Sequence, residues 1–174
     1  MSETGLQFSF YAVAIGSNRP LASGLDPKAL VETAMDVLDT PPMSVVGKSA
    51  LMQSQPVGPS QRRYVNAAVI VETTLSPPAL LGRLQEIEDR YGRRRYRRWG
   101  ARTLDLDIIL WSGGIWSSGR LAIPHVAFRQ RGFVLMPLAY LVPEWRDPVQ
   151  RLTVKHLLAR LQRRKPVDHE ANPL

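Results

Sequence analysis

The nine residues that end in Asp107 constrain the fold most, because they place two carboxylates within an apolar strand. Side chains two positions apart in a strand share a face, so Asp105 and Asp107 point the same way, about 6–7 Å apart along the chain. The segment therefore predicts a strand with one acidic face and one core face. The core face carries four apolar side chains, Leu104, Leu106, Ile108 and Leu110.

The acidic face has the oxygen ligands that suit Mg²⁺, which binds through one or two carboxylates together with substrate phosphates. Seven arginines lie between residues 90 and 102, directly before the acidic strand. Guanidinium groups and metal ions placed side by side stabilise the oxyanions of a phosphate-type group during its transfer. The alternative is a solvated edge strand beside a basic loop, but the clustered arginines favour metal-assisted chemistry on a polyanion.

The composition limits the classes of protein to which this chain can belong. The 174 residues predict one domain, 1–174, with a core from about residue 8 to 162. The absence of a run of 18 apolar residues argues against a membrane partner. The absence of cysteines excludes disulfides and thiolate chemistry and fits a cytoplasmic location. The net charge of +8 attracts anions, and we expect small-molecule substrates, no nucleic acid and a monomer.

The hydrophobic pattern predicts an α+β fold. Strands are expected at 8–15, 44–53 and 64–74, with the acidic strand running to Trp111. Helices are expected at 26–38, 76–91, 133–141 and 153–161, with Asp26, Ser76 and Thr153 as caps. A turn at Gly113-Gly114 is expected to form a hairpin whose returning strand ends near Ile123. This order predicts a ferredoxin-like plait: a βαββαβ core with an antiparallel sheet flanked by helices, plus a hairpin strand and C-terminal helices.

Six short motifs follow one another along residues 11–147: Ala14-Ile-Gly-Ser-Asn18, Gln55-Pro-Val-Gly58, Tyr64-Val-Asn-Ala-Ala68, Arg98-Trp-Gly-Ala-Arg-Thr-Leu-Asp-Leu-Asp107, Ile123-Pro-His125 and Arg131-Gly-Phe133. The fourth is highly specific, and the others would be weak alone. Together they resemble the 6-hydroxymethyl-7,8-dihydropterin pyrophosphokinase family. The resemblance implies that ATP gives its β,γ-diphosphate to the hydroxymethyl group of a reduced pterin in folate biosynthesis, releasing AMP.

The resemblance also implies roles for individual residues. Asp105 and Asp107 would hold two Mg²⁺ ions that bridge the phosphates of ATP, the co-substrate, and Arg93 and Arg102 would act on the transferred group. Phosphate contacts or loop ordering would come from Arg95, Arg98, Arg120 and Arg131, with Trp99 on a closing loop. Other nucleotide contacts would come from Gln85, Glu88 and His125, with Glu88 suited to the ribose hydroxyls. The pterin would stack between Tyr64 and Phe133, with its edges on Asn66, Ser54 and Val57.

The sequence departs from the family pattern at a few positions. Arg19-Pro20 replaces an apolar residue and Gly, Met52 replaces a common Tyr, and Ala122 stands where a Thr can occur. These changes affect the edges of the nucleotide site rather than the acidic strand. The aromatic residues could instead be core, His125 a helix cap, and Gln85 and Glu88 a solvated helix flank.

A rival function class is a nucleic-acid-binding module, because ferredoxin-like sheets also bind RNA through aromatic side chains and basic loops. The rings of Tyr96 and Trp99 could stack on bases, and the arginines could bind phosphates. However, Asp105 and Asp107 would repel a nucleic-acid backbone, and the aromatic-rich run of RNA-reading sheets is missing from the strands. A catalytically inactive scaffold is disfavoured because the charged site residues are intact.

Overall fold

The computed structural model describes residues 7–55, 62–92 and 103–163. Its strands are β1 (Ser9–Ser17), β2 (Met43–Lys48), β3 (Met52–Ser54), β4 (Tyr64–Thr73), β5 (Asp105–Trp111), β6 (Trp116–Ser118) and β7 (Leu121–Ile123). Its helices are α1 (Pro27–Leu38), α2 (Pro77–Arg90), α3 (Gly132–Leu141) and α4 (Val154–Arg163), with a short 3-10 turn at Phe128–Gln130. None of these described helices has the length and apolar character needed to span a bilayer.

The main sheet is antiparallel throughout, and its strand order is β2-β4-β1-β5, with β3 also paired to β4. The fold is therefore a mixed α/β fold with an antiparallel sheet. β1 and β4 are central, and β5, the acidic strand, lies at the end of this order. Helix α1 connects β1 to β2, and helix α2 connects β4 to β5. In the sheet, β2 lies beside β4, and β5 lies beside β1.

Each face of the sheet carries its own hydrophobic cluster, because side chains alternate along the strands. One face packs Val13, Val69 and Leu106 with apolar residues of α1 and α2. The other packs Ala68 and Ile109 with apolar residues of α3 and α4. The acidic residues of β5 share this second face, so the candidate site and the C-terminal helices lie on the same side of the sheet.

Two of the helix starts predicted from the sequence are confirmed by their capping bonds. The Asp26 carboxylate accepts the Ala29 N–H at 2.8 Å at the start of α1. The Thr153 hydroxyl accepts the His156 N–H at 3.3 Å before α4. Both bonds satisfy N–H groups that have no partner within the helix.

The predicted strand at 44–53 is wrong as a single element, because it is divided into β2 and β3. Ser49 donates its N–H to the Ala68 carbonyl at 2.9 Å, but the Ala68 N–H donates to the Ser49 hydroxyl, also at 2.9 Å. A side-chain oxygen thus takes the place of the backbone carbonyl, and regular pairing stops there. A register shift between Val45 and Gly47 had already bent β2.

The predicted hairpin partner of β5 is also wrong. β6 pairs with β7 in a separate two-stranded sheet, around a turn that contains Gly119 at φ 59°. The outer edge of β5 is engaged elsewhere: the Leu106 N–H donates to Glu88 at 2.8 Å, and the Ile109 carbonyl accepts the His125 N–H at 3.0 Å. These contacts occupy the groups that a returning strand would need.

Candidate active site

The acidic strand β5 has the alternation that the sequence predicts as far as Ile108. The prediction that Leu110 shares this core face is wrong, because a register shift against β1 between Ile108 and Leu110 turns Leu110 to the other side of the sheet. Asp105 and Asp107 are half-buried, whereas Leu104, Leu106 and Ile108 are at most 3% exposed. The buried leucines and isoleucine anchor the strand in the core and leave both carboxylates on the other face. The sequence therefore fixes the direction of the two acids through the packing of their neighbours.

A row of three residues crosses the sheet beside the first acid. Gly16 of β1 lies opposite Asn66 of β4 on one side and opposite Asp105 of β5 on the other. Directly paired residues share a face, so the side chains of Asn66 and Asp105 flank a position that has no side chain. A Cβ at Gly16 would lie 3.5 Å from the Asn66 Oδ1 atom, so the Asn66 side chain borders this gap.

Two basic side chains approach Asp107. Its Oδ2 atom lies 3.8 Å from Nη1 of Arg131 and 3.9 Å from Nε2 of His125. Arg131 directly precedes α3, and the His125 N–H donates to the Ile109 carbonyl of β5. The C-terminal part of the fold therefore brings both side chains to the acidic strand.

The environment of His125 sets its protonation. The Ala127 N–H donates to Nδ1 at 3.2 Å, so the neutral ring carries its proton on Nε2, the nitrogen that faces Asp107. Burial lowers the pKa of His125; Asp107 opposes this shift and Arg131 adds to it. At neutral pH, His125 is thus a neutral donor rather than a cation.

Two of the residues predicted to hold the pterin edge, Ser54 and Asn66, are brought together where β3 pairs with β4. Ser54 lies opposite Tyr64, and the side-chain amide of Asn66 donates to the Ser54 hydroxyl at 2.8 Å. Asn66 is 4% exposed, so this bond fixes its orientation. Phe133, in the first turn of α3, is half-buried, and the Arg131 guanidinium lies 5.8 Å from the centre of its ring.

The remaining predicted residues fall into two groups. Gln85 is half-buried on α2 and Arg120 is exposed in the turn between β6 and β7, whereas Glu88 is 1% exposed and accepts the Leu106 N–H. Glu88 is therefore not the solvated helix flank that the sequence left open. Six predicted residues lie outside the described residues: Val57, Arg93, Arg95, Arg98, Trp99 and Arg102.

Sequence reasoning missed the groups that support the acidic strand. The Ser17 hydroxyl is fully buried and donates to the Thr103 carbonyl at 2.5 Å, two residues before Asp105. The sequence analysis names Ser17 only as a member of the Ala14–Asn18 motif, without a role of its own. Asp147 is also fully buried and binds Arg129, which lies between His125 and Arg131, through both carboxylate oxygens.

The two carboxylates of β5 are the candidate ligands for a metal ion. Within the described ranges, no group of three or more His, Asp or Glu side chains forms a cage for a metal. Two carboxylates on one strand face are too few for a metal that is held by protein ligands alone. They suit Mg²⁺, which keeps waters and substrate phosphates among its ligands. The arrangement can therefore hold divalent cations together with a polyphosphate.

Comparisons with known proteins agree with this chemistry. A family model described as 7,8-dihydro-6-hydroxymethylpterin-pyrophosphokinase (HPPK) matches residues 12–143. The 2-amino-4-hydroxy-6-hydroxymethyldihydropteridine pyrophosphokinase of Pseudomonas aeruginosa is 44% identical over 138 residues, which is 78% of this chain and 82% of that protein. The protein of the same name from Synechocystis is 43% identical over 110 residues, 63% of this chain and 56% of that protein. The chain thus matches just over half the length of the Synechocystis relative.

A solved structure supports the fold. The crystal structure of Plasmodium falciparum HPPK-DHPS wild type with pteroate superposes with a TM-score of 0.70 at 12% identity. The superposition covers 88% of this chain and 44% of that chain. The resemblance found in the sequence motifs is confirmed, because the family model spans most of the chain: this chain belongs to the 7,8-dihydro-6-hydroxymethylpterin-pyrophosphokinase family.

Proposed function

We propose that the chain transfers the β,γ-diphosphate of ATP to the hydroxymethyl group of 6-hydroxymethyl-7,8-dihydropterin and releases AMP, a step of folate biosynthesis. The observation that carries the proposal is the pair Asp105 and Asp107 on one strand face, with Arg131 and His125 within 4 Å of Asp107. The names of the relatives support the same reaction.

The fold of this enzyme is a ferredoxin-like plait in one domain, 1–174. The strand order β2-β4-β1-β5, the antiparallel pairing and the two helical crossovers support the βαββαβ arrangement. β6, β7 and the C-terminal helices are additions to that core. All residues proposed for the site come from one chain, which supports a monomer that acts on two small-molecule substrates.

The cofactor is a pair of Mg²⁺ ions, which Asp105 and Asp107 would hold. When bound, such ions neutralise phosphate oxygens and favour in-line attack. Arg131 balances the charge of Asp107 from the side of α3, and His125 presents an N–H beside it. These two groups lie within 4 Å of the Asp107 carboxylate and can donate to phosphate oxygens. Further guanidinium groups come from Arg93, Arg95, Arg98, Arg102 and Arg120.

The pterin lies in the gap over Gly16. Neighbouring strands are about 4.8 Å apart, so the backbones of Asn66 and Asp105 are separated by about 10 Å across this gap. The Asn66 amide, held by Ser54, offers both a donor and an acceptor to the amide-like pterin edge. Tyr64 and Phe133 provide the stacking faces, and the hydroxymethyl group points towards the acidic strand in this proposal. Val57 adds a backbone contact to the pterin. Gln85 contacts the nucleotide, and Trp99 belongs to the loop that closes over the site in this proposal.

The nucleotide product tests this proposal directly. The chain is incubated with ATP, Mg²⁺ and the reduced hydroxymethyl pterin, and the products are followed by ³¹P NMR. Formation of AMP and a pterin diphosphate in equal amounts is expected, with no AMP when the pterin is omitted. Formation of ADP would contradict diphosphate transfer. Absence of AMP together with salt-sensitive binding of RNA would favour the nucleic-acid-binding alternative.

Alanine in place of Gly16 is expected to raise the KM for the pterin about tenfold, because its Cβ fills part of the gap between Asn66 and Asp105. The fold should survive, since the Cβ meets the Asn66 side chain at an ordinary contact distance of 3.5 Å. Steady-state kinetics with varied pterin measure the effect. The matched control is Gly82→Ala on α2, where a Cβ meets nothing within 4 Å. A pterin KM that is equal in both variants would contradict this placement.

A further inference from the structure

We propose that Glu88 is a positioning residue for the acidic strand, acting on the peptide N–H between Asp105 and Asp107 rather than on the nucleotide. Its Oε1 atom accepts the Leu106 N–H at 2.8 Å, and its side chain is only 1% exposed. The consequence for catalysis rests on the proposed function, whereas the contact itself belongs to the fold.

The position of β5 in the sheet explains the need for such an acceptor. β5 has β1 on one side only in the order β2-β4-β1-β5. Backbone groups of successive residues in an antiparallel pair point alternately towards the partner strand and away from it. The Leu106 N–H points to α2, so the backbone groups of Asp105 and Asp107 face β1, opposite Gly16 and Ala14. The two acids are therefore fixed by β1, and the peptide between them is fixed by Glu88.

The placement of Glu88 on α2 is also specific. Leu80, Leu84 and Glu88 recur at intervals of four residues, so all three lie on the buried face of the helix. Burial of a carboxylate is unfavourable unless it is hydrogen-bonded, and the bond to Leu106 meets that condition. The bond to Leu106 therefore places a charged group of α2 in direct contact with the backbone of β5.

A ribose contact, as implied by the family resemblance, would require an accessible carboxylate. With 1% of its surface exposed, Glu88 reaches the strand backbone and not the open face of the site. Its effect on the reaction passes through the geometry of Asp105 and Asp107. Outer groups that orient metal ligands typically change metal affinity by about 10–100-fold when they are removed.

The test compares Glu88→Leu, which removes the acceptor, with Glu88→Gln, which keeps an acceptor oxygen. We expect amide hydrogen exchange at Leu106, measured by NMR, to be at least about tenfold faster in E88L than in wild type, with most of the protection kept in E88Q. Mn²⁺ affinity in the presence of a non-hydrolysable ATP analogue, measured by EPR, should fall about tenfold in E88L and little in E88Q. The matched controls are Glu86→Leu and Glu86→Gln, because Glu86 is on the same helix but exposed.

A second measurement separates positioning from ribose binding and uses only E88Q if E88L does not fold. The loss of kcat/KM for 2′-deoxy-ATP and 3′-deoxy-ATP relative to ATP is determined in wild type and variant. Equal losses in both proteins support positioning, whereas a loss that disappears in the variant assigns Glu88 to the ribose and overturns the inference. Unchanged Leu106 exchange in E88L, or exchange in E88Q as fast as in E88L, would also overturn it. Failure of the proposed function would appear differently, as no AMP formation by the wild-type chain.

Discussion

Asparagine in place of Asp107 is expected to lower kcat for AMP formation by about three orders of magnitude, or about 4 kcal/mol of transition-state stabilisation. Asparagine keeps the shape of the side chain but removes the negative charge that would hold a divalent cation. The side chain is 34% exposed and lies on the face of β5 opposite the core residues, so the fold should be retained. Asp105→Asn is expected to have a similar effect.

The measurement is kcat at saturating ATP, pterin and Mg²⁺, with the midpoint of thermal unfolding followed by circular dichroism. Asp36→Asn is the matched control, because Asp36 is 78% exposed on α1 and pairs with Lys48 at the surface. A kcat within a factor of about three of wild type in both acidic-strand variants would contradict the assignment. A large loss of kcat in the control would show that the effect is not specific to the strand.

Alanine in place of Asp147 is expected to lower the free energy of unfolding by about 3–5 kcal/mol, the largest stability effect that we predict. Asp147 is fully buried and accepts two bonds from Arg129, at 2.6 and 2.7 Å, and one from the Val149 N–H at 3.0 Å. Removing the carboxylate leaves the guanidinium, which is only 20% exposed, without its counter-charge. Urea denaturation measures the loss, and the double variant Arg129→Met, Asp147→Ala should recover part of it.

The contribution of Asp147 should also depend on pH. Burial alone would raise the pKa of Asp147, but the hydrogen bonds from Arg129 and Val149 outweigh it and hold the pKa below its usual value. A carboxyl group whose pKa is depressed by folding stabilises the protein fully above its unfolded pKa of about 3.9 and loses this effect as the pH falls through the folded value. The gap in stability between wild type and variant should be constant from pH 7 to 5 and narrow below pH 4. A gap that widens on acidification would contradict the assignment.

Local patterns were sufficient where neighbouring residues determine the structure. The alternation along β5 fixed the face of Asp105 and Asp107, and the caps at Asp26 and Thr153 marked the starts of α1 and α4. These features depend on contacts within a few positions of the chain. They explain why the strand and both helix starts could be predicted from the sequence.

The features that the sequence did not predict depend on contacts between residues that are far apart in the chain. The division between β2 and β3 depends on Ser49 meeting Ala68, 19 residues later, and the edge of β5 is engaged by Glu88 from α2 and by His125. No local pattern reports such pairings. For Glu88 a signal was present, since its spacing from Leu84 placed it on the buried stripe, but the family resemblance implied a ribose contact and the residues alone left a solvated flank open. The role of Gly16 required the register of three strands.

The central claim is that Asp105 and Asp107 together hold the divalent cations that accompany ATP. Titration of Mn²⁺ by EPR, in the presence of a non-hydrolysable ATP analogue and the reduced pterin, counts these ions in wild type and in the double variant Asp105→Asn, Asp107→Asn. We predict two tightly bound ions per chain in wild type and none bound with comparable affinity in the variant. Two ions bound equally tightly by both proteins would contradict the account.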